Sequence, residues 1–178
     1  MGFFDKFKKK EAEPVKPAAP RPIATAMGEG VLCAPVSGKV IPMTEVPDPV
    51  FSAETLGKGC AIWPEDGVVY SPAMGTVTVT MGHAVGMTTD DGIEVLVHIG
   101  VDTVNLQGKG FTGYVVQDDS VVPGQAIISM DRQVIADAGY KDCVVIAVSN
   151  TADYSSVEML VEPGSTVSAG DAVVKVSK

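Results

Sequence analysis

Histidine is almost absent from this 178-residue chain, which has only His83 and His98. A protein zinc centre usually takes three or four protein ligands. Two histidines fifteen residues apart, with no His-x-His or His-Glu-x-x-His pair, do not supply that set. Cysteine is scarce as well. Cys33, Cys60 and Cys143 are an odd number, lack Cys-x-x-Cys spacing and lie far from either histidine in sequence. They read as reduced core thiols of a cytosolic protein, not as ligands or a disulfide framework. No apolar run approaches the roughly 18 residues of a spanning helix, and the N-terminus lacks the apolar stretch and cleavage site of a secretory signal. Basic side chains are outnumbered, 13 against 22 acidic, for a net charge of −9. The imbalance is uneven. Residues 1–22 hold six basic and three acidic groups (+3), and the remainder seven and nineteen (−12). An acidic body argues against nucleic-acid binding and suits a basic protein partner, although acidity also serves solubility alone.

What the chain does have is 46% hydrophobic residues, 19 glycines, 12 prolines and recurrent valine, with a mean hydropathy of +0.24. That composition excludes disorder over most of the length and favours short strands and turns. Strands are expected near 31–34, 38–43, 60–63, 68–70, 75–81, 84–89, 93–98, 112–116, 126–130, 143–148, 157–162 and 172–176. One short helix is expected at 131–138, ended by Gly139. The expected fold is all-β: an antiparallel β-sandwich, or flattened barrel, with at most one or two short helices. Two echoes run through it. Ala34-Pro35-Val36-Ser37-Gly38-Lys39-Val40 returns as Ser71-Pro72-Ala73-Met74-Gly75-Thr76-Val77, and residues 121–128 (VVPGQAII) return as 167–174 (VSAGDAVV). The offsets, 37 and 46, differ, so the echoes suit two related half-sandwiches and not a solenoid.

The chain divides into three parts. Residues 1–10 (MGFFDKFKKK) set Phe3, Phe4 and Phe7 on one helical face, with Lys6, Lys8, Lys9 and Lys10 supplying charge. This pattern suits an anionic membrane surface, or else a solubilising tail. Residues 11–28 are rich in proline and read as a flexible tether. Residues 29–178 form the β-sandwich domain.

The two histidines meet through a hairpin. Asp91-Gly92 between two β-compatible runs is a strong two-residue turn signal. With those two residues as the loop, Asp90 pairs with Ile93 and His98 faces Val85. His83, two residues beyond Val85, then lies on the same side, a diagonal neighbour with Cβ atoms about 7–8 Å away. A slip of one residue would separate them. Paired imidazoles can form half a zinc site, act as an acid/base pair, or make a phosphoryl acceptor with a supporting donor.

The stretch Val97-His98-Ile99-Gly100-Val101-Asp102-Thr103-Val104, continuing NLQGKGF to Phe111, resembles the active-site signature of the glucose-family enzyme IIA of the bacterial sugar phosphotransferase system. The resemblance extends to Gly82-His83-Ala84, to EVPDPVF ending at Phe51 and to Gly57-Lys58-Gly59. It covers about residues 30–178. The N-terminal MGFFDKFKKK is similar to the membrane-seeking segment of free-standing members. The resemblance implies a β-sandwich without metal or organic cofactor, and a cytoplasmic protein peripheral to the inner face of the membrane. It implies a relay from a histidine-containing phosphocarrier protein to His98, and from there to a cysteine of a IIB permease domain. His98 would accept the phosphoryl group on Nε2, and His83 would support it. Asp102 would flank the site, with Phe51 and Val104 on the docking surface. Regulatory binding of other proteins according to phosphorylation state is a further implication. One position departs. Members commonly carry Thr two residues before the supporting histidine, and here Met81 stands there, unable to donate a hydrogen bond. The V-x-x-G-x-A turns also suggest a biotinyl or lipoyl carrier, but no acceptor lysine motif accompanies them.

Overall fold

The computed structural model describes residues 16–178. Fourteen strands run in chain order: β1 (Val31–Cys33), β2 (Gly38–Pro42), β3 (Lys58–Pro64), β4 (Val68–Tyr70), β5 (Gly75–Met81), β6 (Ala84–Thr89) and β7 (Glu94–Ile99). They continue as β8 (Phe111–Gly113), β9 (Ser120–Val121), β10 (Ala126–Met130), β11 (Val144–Val148), β12 (Ser156–Met159), β13 (Thr166–Val167) and β14 (Ala172–Ser177). Two short helices, α1 (Pro49–Ser52) and α2 (Arg132–Asp137), interrupt them. No helix among the described residues is long and apolar enough to cross a membrane. All strand pairs are antiparallel, and the fold is the expected β-sandwich.

One eight-stranded sheet, β13-β2-β3-β11-β7-β6-β5-β9, is covered on one face by two three-stranded sheets, β1-β14-β12 and β4-β10-β8. The order of the large sheet maps onto itself between the halves: β13 with β9, β2 with β5, β3 with β6, β11 with β7. The hydrogen bonds repeat at the offsets of the sequence echoes. Tyr70 N donates to Pro35 O (2.8 Å) as Cys33 N does to Pro72 O (2.9 Å). Gly124 N donates to Ser71 O (2.9 Å) as Gly170 N does to Ala34 O (2.8 Å). The main core lies between the layers and draws Val95, Val97 and Ile99 from β7 and Val144, Ile146 and Val148 from β11.

β11 is buried on both faces, which its unbroken apolar run dictates. Its other side chains, Val145 and Ala147, point to the outer face of the large sheet. There they join Ile41, Met43, Val46, Phe51, Ala61, Val101 and Cys143 in a second cluster. The internal symmetry breaks on this face. Residues 43–57 make a long connection from β2 to β3 and cover the sheet, whereas only Gly82 and His83 join the equivalent β5 and β6.

Residues 16–28, read from sequence as part of the tether, lie against the body. Ile23 N donates to Gly124 O (3.0 Å) and Ala26 N to Gly170 O (2.8 Å), so this extended segment straps the equivalent turns of both halves. Lys16 pairs with Asp119, and Cys33 Sγ donates to Ala26 O (3.3 Å). Residues 1–15, which hold the amphipathic segment and the start of the tether, lie outside the described residues.

Candidate active site

His98 sits near the end of β7 with its side chain on the outer face. The register differs from the sequence reading by one residue: His98 pairs with Ala84, not Val85. The loop has three residues, Asp90-Asp91-Gly92. Thr89 N donates to Ile93 O (2.9 Å), Thr89 Oγ1 accepts from Ile93 N (2.9 Å), and Gly92 takes φ +93°. Such a slip would separate two histidines held in strands. His83 is not in a strand. It is the second residue of the β5–β6 turn, where strand alternation does not apply, and its ring reaches His98 with centroids 4.8 Å apart at 81°.

Phe51 packs against His98 as well. Its ring centroid is 4.9 Å from that of His98, with the planes at 59°. Asp48 caps α1, accepting from Val50 N (2.8 Å) and Phe51 N (3.2 Å), with Pro49 in the first turn. A capping Asp followed by Pro is a helix-start signal. It is the signal in the sequence for both Asp48 and α1. Phe51 is only 4% exposed, so it presents almost no area of its own to a docking partner. Val104 is 58% exposed and Asp102 exposed, both on the loop after β7, where Asp102 takes a left-handed conformation. Val50 of α1, beside Phe51, and Met81 at the end of β5 are exposed too.

Burial controls the electrostatics. His98 is half-buried and His83 6% exposed. Desolvation, and then the neighbouring His83, push the His98 pKa down to about 4, against opposing effects of the Gly100 backbone and Asp48. Burial lowers His83 also. Both rings are therefore neutral near pH 7, and a neutral imidazole keeps one nitrogen lone pair. Nδ1 of His98 is the one fully buried side-chain polar atom without a hydrogen-bond partner among the described residues, although the Gly100 backbone lies close enough to favour a charged ring. No group of three or more His, Cys, Asp or Glu side chains placed to hold a metal ion occurs among the described residues.

The loop after β7 is fastened beside the pair. Gly100 takes φ +79°, where a Cβ would stand 2.3 Å from Thr103 Cγ2. Thr103 is fully buried and its hydroxyl donates to Ile99 O. Sequence reading singled out neither residue for a role; the signal lay in the Gly after the strand and the Thr three residues on.

Residues 30–154 match the family described as phosphoenolpyruvate-dependent sugar phosphotransferase system, EIIA 1. The chain is 39% identical over 132 residues to the PTS system glucose-specific EIIA component of Oceanobacillus iheyensis, covering 73% of this chain and 80% of that protein. It is 45% identical over 127 residues to the PTS system beta-glucoside-specific EIIBCA component of Bacillus subtilis, covering 70% of this chain and 21% of that protein. It spans about a fifth of the length of this and several other relatives. Glucose permease IIA from Mycoplasma capricolum superposes with a TM-score of 0.69 at 32% identity, covering 81% of this chain and 93% of that one. The chain belongs to the EIIA 1 family of the phosphoenolpyruvate-dependent sugar phosphotransferase system, a family of phosphotransfer components.

Proposed function

We propose that the chain relays a phosphoryl group, accepting it on His98 from a histidine-containing phosphocarrier protein and handing it to a cysteine of a IIB permease domain. The observation that carries this reading is a neutral, half-buried imidazole packed against Phe51, with ring centroids 4.9 Å apart, and met by a second imidazole, His83, at 4.8 Å. With Nδ1 buried, Nε2 is the nitrogen assigned to attack phosphorus. As the new P–Nε2 bond forms, the donor's P–N bond breaks. In the second step the P–Nε2 bond breaks and a P–S bond forms on the acceptor cysteine. Neither step changes an oxidation state. His83, which carries one N–H when neutral, donates to the phosphoryl oxygens while His98 makes and breaks the bond. Positioning and charge stabilisation do most of the work in such transfers. Exposed Val50, Met81, Val104 and Asp102, from the segments that adjoin Phe51, His83 and the end of β7, suit a docking face for the partners.

Incubation with phosphorylated carrier protein followed by mass spectrometry tests the assignment. One phosphoryl group should appear on His98, labile to acid and stable to alkali, and His98→Ala should take none. Labelling of that variant, or of Ser or Asp, would refute it. His83→Gln should still be labelled on His98 but pass the group on about 10²–10³-fold more slowly, the usual loss for a charge-stabilising donor.

Residues 1–10 are assigned, on their three phenylalanines and four lysines, a weak attachment to anionic membrane that keeps the acidic body near an embedded acceptor.

A further inference from the structure

Met81 occupies the position at which the family commonly offers a threonine to the supporting histidine. Met81 is 46% exposed, and its side chain has no hydrogen to donate. The main chain that carries His83 is held by backbone contacts. The His83 carbonyl accepts from Ile99 N at 2.8 Å, one residue beyond His98. Gly82, the other turn residue, presses on the loop after β7: a Cβ at position 82 would stand 2.7 Å from Gly108 Cα and 3.2 Å from Gly108 N. Gly82 is not among the glycines with positive φ, so close approach and not conformation requires glycine there. The surface it meets is itself held. Gly108 O accepts from Phe111 N (3.2 Å), and Thr103 ties the root of the loop to Ile99. The turn that carries His83 is thus seated between β7 and the loop β7 leads into.

We infer that Gly82 is a positioning residue of the phosphoryl-transfer site. Its backbone seats against Gly108 and fixes the His83 ring toward His98, replacing the hydrogen bond that position 81 no longer supplies. The inference rests on the supporting role assigned to His83 above. Alanine at 82 must push the turn off the loop, and a displacement of about 1 Å costs transfer on the order of 10²-fold. Met81→Thr alone should gain nothing, because the ring is already held.

The test measures onward transfer from phosphorylated His98 to the IIB cysteine in Gly82→Ala, Met81→Thr, the double variant and His83→Gln. NMR titration of both rings runs alongside. Gly82→Ala should accept phosphate on His98, lose transfer rate at saturating acceptor with little change in KM, and shift the titration of His83. Adding Met81→Thr should restore part of the rate, because it supplies a side-chain hydrogen-bond donor to the displaced ring. A folded Gly82→Ala with wild-type transfer and an unshifted His83 overturns the inference. So does a Met81→Thr single variant that is about tenfold faster, since it would show the ring unheld in the natural chain. If Gly82→Ala does not fold, the Met81→Thr rate decides by itself. Wild-type transfer in His83→Gln would instead remove the underlying role of His83. A slow His83→Gln beside a fast Gly82→Ala removes only the role of Gly82.

Discussion

Truncating Phe51 to alanine should damage the site from within, before any partner arrives. The ring is 4% exposed and packs in the second cluster with Ile41, Met43, Val46, Ala61, Val101 and Val145. Burying a phenylalanine side chain contributes about 2–3 kcal/mol by area. The cavity left behind raises the usual Phe→Ala cost to about 3–5 kcal/mol. Here α1 has four residues, held by the Asp48 cap, a few backbone bonds and the packing of Phe51 itself. It can collapse part of the way into the gap, so about 3 kcal/mol is expected. Against a typical total of about 5–15 kcal/mol the protein stays folded. The same change lets water reach His98, whose pKa of about 4 comes first from burial. That pKa should climb toward the ordinary 6.5, leaving fewer neutral nucleophiles in mildly acid solution. Urea denaturation reads the first effect and NMR titration of His98 the second. Phe51→Leu, which keeps most of the apolar volume, should produce little of either. If Phe51→Ala unfolds at the wild-type urea midpoint and His98 still titrates near 4, Phe51 does not shield His98. Weakened carrier binding with both properties unchanged would make it a contact residue instead.

Stability should fall on acidification. His98 titrates near 4 folded and near 6.5 unfolded, so between these values the unfolded chain binds more protons. The contribution is complete above about 6.5 and lost as pH falls to about 4, worth on the order of 3 kcal/mol, and His98→Ala should flatten that part of a stability–pH curve. Phosphorylation of His98 should raise the His83 pKa, because a phosphoryl dianion beside it favours imidazolium; an unmoved NMR titration would place the group elsewhere. Deleting residues 1–26 removes the strap over Cys33, whose thiol donates to Ala26 O, and should speed its reaction with a thiol reagent while buried Cys60 and Cys143 stay inert; unchanged labelling would show that the strap does not shield it. Deleting residues 1–10 should leave phosphorylation by the soluble carrier unchanged and slow transfer to a membrane-embedded acceptor, and equal rates in both steps would make that segment a tail.

The strands were largely legible, because short apolar runs broken by Gly and Pro leave little other choice of local structure. The echoes were legible too, since equivalent turns need the same small residues. Short pieces such as α1, β9 and β13 were not, for two to four residues carry no periodicity. The histidine pair was found for an incomplete reason. Asp91-Gly92 signalled the hairpin, but Thr89 and Gly92 closed a three-residue loop and moved the register by one. The pair survived because His83 lies in a turn.

By itself, the sequence determined which segments could be strands, that the body would be an acidic β-sandwich of two related halves, and, through the VHIGVDTV stretch, which histidine to suspect. Those properties depend on neighbours along the chain. Tertiary structure decided that Phe51 is buried behind His98, that Gly82 touches Gly108, and that residues 16–28 are strapped to the body. Each of these depends on groups far apart in sequence. A proline-spaced segment reads as a free tether until the carbonyls of Gly124 and Gly170 come within reach of its two N–H groups, and only the folded sandwich brings them there.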